Sequence, residues 1–175
     1  RYVDIYKALE DIARERKLEA EERQELKKFS KLADSLTPLA KGMNSEYCNQ
    51  NAYDCIQVHG GSGFMMEYFC QQIYRDARIT SIYEGTTQLQ VVAAIRYVTN
   101  GAYLALMRDY EAVPAAPEFA SLIERAKAMA DKFEAATTYV KEAANAEFHD
   151  LCARHLYEMA ASIIMLHLLT QNATR

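Results

Sequence analysis

Apolar residues recur every three or four positions along most of this chain, the spacing of one buried helix face. Val3, Ile5, Tyr6, Leu9, Ile12 and Ala13 form such a stripe from Tyr2 to about Arg16. Arg14 to Lys28 is mostly charge of mixed sign, which reads as a solvated connection between helices. From about Glu21 to Val58 the helical spacing returns, through Leu26, Phe29, Leu32, Leu36, Leu39, Met43 and Tyr47 to Ala52 and Ile56. Pro38 lies inside this run; it lacks an N–H and crowds the preceding turn, so it should kink or divide the helix. Ser35 or Thr37 would then cap the second segment.

The run stops at His59-Gly60-Gly61-Ser62-Gly63-Phe64, where glycines permit a sharp turn. A short aromatic-rich helix is expected from Met66 to about Ala77, then another from Gln88 to about Thr99, with a further turn or two over Tyr103 to Asp109. Val113-Pro114-Ala115-Ala116-Pro117 reads as a linker. Beyond it, Glu118 to about Ala144 and Ala146 to Leu169 are strongly periodic and suggest an antiparallel helical hairpin that must pack on something. No period-2 strand and no internal repeat is visible. The expectation is an all-α chain: a bundle over residues 1–112, a linker over 113–117 and a helical extension over 118–175.

Composition agrees with this. Half of the 175 residues are apolar, with 3 Pro and 6 Gly, a mix that favours helix. A net charge of −4 offers no basic footprint for nucleic acid. No apolar run is long enough to span a bilayer, and no signal peptide is visible. Cys48, Cys55, Cys70 and Cys152 form no C-x-x-C pair. Cys48 and Cys55, two helical turns apart, are expected to be buried thiols in a reducing, cytoplasmic setting. His149, Cys152 and His155 share a helix face, but no fourth ligand accompanies them; a packed interface is expected there and no metal site. The chain opens Arg1-Tyr2-Val3 without Met, as if in mid-helix, which suggests a fragment edge.

Two segments carry candidate chemistry. The first is Gln57-Val58-His59-Gly60-Gly61-Ser62-Gly63-Phe64; its glycines let backbone amides approach an anion or a flat ring, but by themselves they read first as a helix C-cap and turn. The second is Ile79-Thr80-Ser81-Ile82-Tyr83-Glu84-Gly85-Thr86-Thr87-Gln88. Glu84 there is either an exposed turn acid or a base among apolar neighbours Ile79, Ile82 and Tyr83. Thr86 or Thr87 is placed to cap the next helix.

Taken in order, Q-V-x-G-G-x-G-F, R-D-A-R-I and I-Y-E-G-T-x-Q-x-Q resemble the C-terminal helical domain of the acyl-CoA dehydrogenase family. The resemblance is close from about Ala40 to Gly101 and looser over residues 1–39. The tail after Pro117 is similar to the extra helical region of longer bacterial members.

This resemblance implies α,β-dehydrogenation of an acyl-CoA thioester in fatty acid metabolism, with FAD as hydride acceptor and an electron-transfer flavoprotein or similar acceptor downstream. It puts Glu84 at the catalytic base and Gly85 where a backbone N–H binds the thioester carbonyl. Thr86, Thr87 and Gln88 fall on a segment that contacts FAD. Gln57, Val58, His59, Gly60 and Gly61 fall on one that contacts the FAD of a neighbouring subunit, which implies a homo-oligomer. Arg75, Asp76 and Arg78 are expected to form ion pairs holding the glutamate loop. The family's N-terminal helical and middle β-domains have no counterpart in these residues, so the chain by itself is expected not to turn over. An acyl-CoA oxidase and a noncatalytic helical assembly module are the alternative readings; the intact Glu84-Gly85 pair favours the enzyme.

Overall fold

A computed structural model describes residues 2–174. The chain divides into two compact units, Arg1–Pro38 and Leu39–Arg175. All regular structure among the described residues is helical: α1 (Tyr2–Glu15), α2 (Ala20–His59), α3 (Gly61–Phe64), α4 (Cys70–Thr80), α5 (Thr87–Thr99), α6 (Ala102–Glu111), a 3-10 turn (Pro117–Phe119), α7 (Ala120–Glu142) and α8 (Ala146–Ala173).

In the first unit, α1 is followed by the opening turns of α2. Tyr2 stacks on Phe29 with ring centroids 5.8 Å apart. The start of α2 is organised by Glu22, which accepts from the Glu19 N–H at 2.8 Å and from both terminal nitrogens of Arg16, at 2.8 and 2.6 Å. Those bonds, the Arg16 bond first, hold the Glu22 carboxyl down at about 2. Of the two outcomes expected at Pro38, division does not occur: α2 runs on through it. Ser35 and Thr37 donate their hydroxyls back to the Leu32 and Ala33 carbonyls, both at 2.8 Å. They reinforce the turn before the proline instead of capping a new segment.

The second unit holds the larger core. Here α8 packs on α7, α5 and α6, and α6 packs on α5 and α7. Val91 and Val98 of α5, Tyr103 and Met107 of α6, Phe133 of α7, and Tyr157 and His167 of α8 are all fully buried. Each large apolar side chain among these contributes about 1.5–3 kcal/mol of transfer free energy. The expected hairpin therefore exists as α7 and α8, and what it packs on is α5 and α6. Asn145 caps α8 by accepting the Phe148 N–H at 3.0 Å.

Polar links tie these helices at the surface. Arg108 of α6 meets Glu111 on its own helix and Asp131 and Glu134 of α7, at 3.0, 2.6 and 3.1 Å. Lys141 of α7 donates to the Thr99 carbonyl at the end of α5.

Where α8 crosses α2, Gly42 removes the side chain that would collide. A Cβ there would lie 2.1 Å from the Tyr157 hydroxyl oxygen, and that hydroxyl donates to the Leu39 carbonyl at 3.4 Å.

Candidate active-site loop and glycine turn

After α4 the chain makes a tight loop, Ser81 to Thr86, before α5 begins. Ile82 and Tyr83 both donate their N–H groups to the Ile79 carbonyl, at 2.9 and 3.0 Å. The Thr87 N–H returns to the Ser81 carbonyl at 3.3 Å. Between these anchors Glu84 has φ 52 and Gly85 has φ 92. Two successive left-handed residues turn the chain sharply. Gly85 takes that conformation without penalty, whereas Glu84 bears a Cβ clash. Such strain persists only where the surroundings over-determine it.

The surroundings here are a polar row on α2. Lys41, Ser45 and Asn49 are spaced four apart and face the loop. The Lys41 Nζ donates to the Thr80 carbonyl at 2.9 Å and the Gly85 carbonyl at 2.6 Å, and lies 5.7 Å from the Tyr83 ring centroid. Ser45 Oγ donates to the Thr80 carbonyl at 2.9 Å. The Asn49 amide reaches the Ala77 carbonyl at 3.1 Å. Glu46 accepts from the Thr87 hydroxyl at 2.6 Å. From the other side, Gln90 Nε2 donates to the Glu84 and Gly85 carbonyls, at 3.4 and 3.2 Å.

This arrangement fixes two groups without using them. The peptide plane sets the Gly85 N–H opposite the Glu84 carbonyl that Gln90 holds, and that N–H donates to nothing among the described residues. The Glu84 carboxylate is exposed and has no hydrogen bond or ion pair among them. Ile79, Ile82 and Tyr83 are also about half exposed, so these residues do not enclose the acid. Arg75 and Asp76 make no ion pair among the described residues, contrary to the expectation that they would brace the loop; Arg78 donates to Ser81 Oγ. The helix row took that role, and its partners are backbone carbonyls, which carry no sequence signal.

Thr86 is the N-cap of α5, its hydroxyl accepting the Leu89 N–H at 3.4 Å. Thr87 is buried and turned toward Glu46, while Gln88 is exposed at the first turn. The amides at this helix start form an anion-favouring end.

The glycine turn lies where α2 ends. Gly60 has φ 59, and a Cβ on either Gly60 or Gly61 would meet nothing within 4 Å. Gly63 differs: a Cβ there would sit 2.7 Å from the Ile56 carbonyl oxygen, so its role is to let the chain double back on α2. The expected helix from Met66 begins only at Cys70, because residues 65–69 spend a turn reversing direction, with the Tyr68 N–H on the Met65 carbonyl.

Gln57, Val58, His59, Gly60 and Gly61 are all exposed. Val58, Phe64, Met66 and Phe69 are each at least 78% exposed, a concentration of bare apolar side chains of the kind that marks contact surfaces. The thiols also depart from expectation: Cys48 is exposed and Cys55 half-buried, while Cys70 is buried. The face of α2 that bears the first two is not the one packed inside. The loop and the glycine turn are separated along the chain by α4.

The second unit is thus a helical bundle that presents an unpartnered acid, a free amide beside it and a helix start along one loop. Two family models match the chain: "Acyl-CoA dehydrogenase, C-terminal domain" over residues 12–98 and "Acyl-CoA dehydrogenase C terminal" over residues 99–175. The chain belongs to the acyl-CoA dehydrogenase family.

Among similar proteins is the caffeyl-CoA reductase–Etf complex subunit CarC of Acetobacterium woodii. It is 46% identical over 52 residues, 30% of this chain and 14% of the relative. The 3-methylmercaptopropionyl-CoA dehydrogenase of Ruegeria pomeroyi is 49% identical over 59 residues, 34% of this chain and 10% of the relative. The mitochondrial long-chain specific acyl-CoA dehydrogenase of Sus scrofa is 42% identical over 76 residues, 43% of this chain and 18% of the relative. The chain therefore spans less than a fifth of the length of each of these relatives. No solved structure matches it. No described helix is long and apolar enough to cross a membrane.

Proposed function

We propose that this chain is the C-terminal portion of an FAD-dependent acyl-CoA dehydrogenase and that Glu84 is its catalytic base. The observation that carries the reading is the pairing of an unpartnered Glu84 carboxylate with a free Gly85 N–H, on a strained turn clamped by Lys41 and Gln90.

Oxidation of a thioester between its α and β carbons requires removal of a weakly acidic α-proton. Glu84 takes that proton. Charge then moves onto the thioester oxygen, and the Gly85 N–H stabilises it as a fixed donor. Bound FAD would supply the acceptor for the β-hydrogen, which leaves as hydride. Exposure of Glu84 in this chain implies that the missing walls of the site come from other parts of the whole protein. Enclosure by those walls would strengthen the carboxylate as a base.

The donor set suits FAD. Thr86, Thr87 and Gln88 bring hydroxyl, amide and helix-start N–H groups to one end of α5. Gln57, His59 and the open Gly60-Gly61 backbone give a second polar surface that a diphosphate or a flat ring can approach closely. The bare apolar side chains around that turn support its burial against a neighbouring subunit, hence a homo-oligomer. We place the catalytic part in residues 1–112, with residues 118–175 as an added helical region that covers α5 and α6. An electron-transfer flavoprotein is the acceptor this reading favours, and a cytoplasmic setting accompanies it.

The test is Glu84→Gln in the full-length protein. The variant should retain FAD and acyl-CoA binding while flavin bleaching by substrate slows by about 10²–10⁴-fold, the range for loss of a positioned base. Bleaching at the normal rate would refute the assignment.

A second reading is reduction of an enoyl-CoA by the same groups run in reverse, with Glu84 as the acid. The similarity to a caffeyl-CoA reductase subunit favours it, and comparing saturated and unsaturated thioesters in the bleaching assay separates the two.

A further inference from the structure

We infer that Cys55, His59 and Cys70 form a binding site for a thiophilic divalent cation such as Zn²⁺. Cys55 and His59 stand four residues apart on the last turns of α2, on one helix face. Cys70 opens α4, and the reversal permitted by Gly63 brings it back to them. The two sulfurs are 3.5 Å apart, and Cys55 Sγ lies 3.9 Å from His59 Nδ1. All three ligand atoms fall within 4.8 Å of one another.

A zinc ion with Zn–S bonds of about 2.3 Å and a Zn–N bond of about 2.0 Å has tetrahedral edges of roughly 3.8 Å for S···S and 3.5 Å for S···N. The two separations from Cys55 match those edges to within about 0.4 Å, and the Cys70–His59 pair lies within 4.8 Å. The ligand set is two thiolates and one imidazole, with a fourth position left for water.

Loading the site releases two thiol protons to solvent. The His59 Nδ1, which donates its proton to the Cys55 carbonyl at 2.9 Å, gives up that hydrogen bond for the metal, and the imidazole proton moves through solvent to Nε2. Bound metal would pin the end of α2 to the start of α4 and so fix the glycine turn between them. No periodic pattern shows this trio, because its third member comes from a separate element.

The test is Co²⁺ titration of the full 175-residue chain under a non-chelating reductant, followed by displacement with Zn²⁺. One equivalent should produce a thiolate-to-cobalt charge-transfer band that Zn²⁺ removes. Cys55→Ser or Cys70→Ser should abolish the band, and His59→Gln should weaken Co²⁺ binding at least about tenfold, the scale of losses when a metal site is disturbed. A Cys48→Ser/Cys152→Ser double variant should bind normally. As a readout free of variants, ¹¹³Cd NMR of the wild-type chain should give a single resonance in the range of mixed sulfur–nitrogen ligation. No charge-transfer band in the reduced chain, a band that survives Cys70→Ser, or a cadmium shift typical of oxygen ligands would each overturn the site.

Discussion

Replacing Lys41 with Met tests how the Glu84 turn is held. The substitution keeps most of the side chain's length and apolar stem and removes the ammonium. Two charge-assisted hydrogen bonds disappear, to the Thr80 and Gly85 carbonyls, each worth about 1.5–3 kcal/mol. The lower end applies here, because Lys41 is half-buried and both carbonyls keep a second donor, Ser45 for Thr80 and Gln90 for Gly85. Loss of the cation–π contact with Tyr83 adds about 0.5 kcal/mol. The freed side chain regains up to about 1.5 kcal/mol of rotamer entropy. The balance is a loss of about 2 kcal/mol confined to the loop, or roughly a 30-fold rise in local opening.

Hydrogen exchange resolved by residue measures this directly. The amides of Ile82 and Tyr83 report how the loop is anchored to the Ile79 carbonyl, and that of Thr87 reports its closure on Ser81. They should exchange roughly 30-fold faster in Lys41→Met, with the amides of α7 unchanged. Unchanged rates at those three amides would refute the clamp. Equal acceleration throughout α7 would mean that Lys41 supports the whole unit and not the loop.

Three further outcomes are expected. Gly42→Ala should destabilise by about 1–3 kcal/mol through the collision with Tyr157, lowering Tm by several degrees; Tyr157→Phe should recover part of that loss, and strict additivity of the two would sink the contact. Burial pushes the His167 imidazole below its usual range, so as pH falls below about 6.5 the unfolded chain gains a proton that the folded one resists, and stability drops. His167→Leu should therefore show a smaller fall in urea midpoint between pH 7.5 and 5.5 than the wild type, and an equal fall would refute the linkage. Thr87→Val should cost about 1 kcal/mol by breaking the bond to Glu46, read as a shift in urea midpoint; no shift would place that bond among the dispensable ones.

The helices were legible where one face is buried against a neighbour. The periodic runs that became α7 and α8 carried their apolar spacing plainly, and Thr86 was readable as a cap by its position ahead of the α5 pattern. The Glu84 loop was legible as a motif but not as a structure. Lys41, Ser45, Glu46 and Asn49 read as ordinary polar helix residues, because most of their partners are carbonyl groups that any sequence supplies. The thiols show a second limit. Helical spacing correctly puts Cys48 and Cys55 on a common face, but spacing alone does not say whether that face turns inward. Pro38 shows a third: a missing N–H costs one helical bond, and hydroxyl groups one turn earlier bonded back to the helix instead of ending it.

The bond from Lys41 to the Gly85 carbonyl also acts beyond the turn it braces. A positive charge 2.6 Å from that oxygen draws electron density along the peptide and leaves the Thr86 N–H on its far side more acidic. That N–H bonds to nothing among the described residues. A lysine on one helix thus sets the donor strength of an amide at the mouth of another. Its charge is felt at the loop's outer surface although its side chain never reaches it.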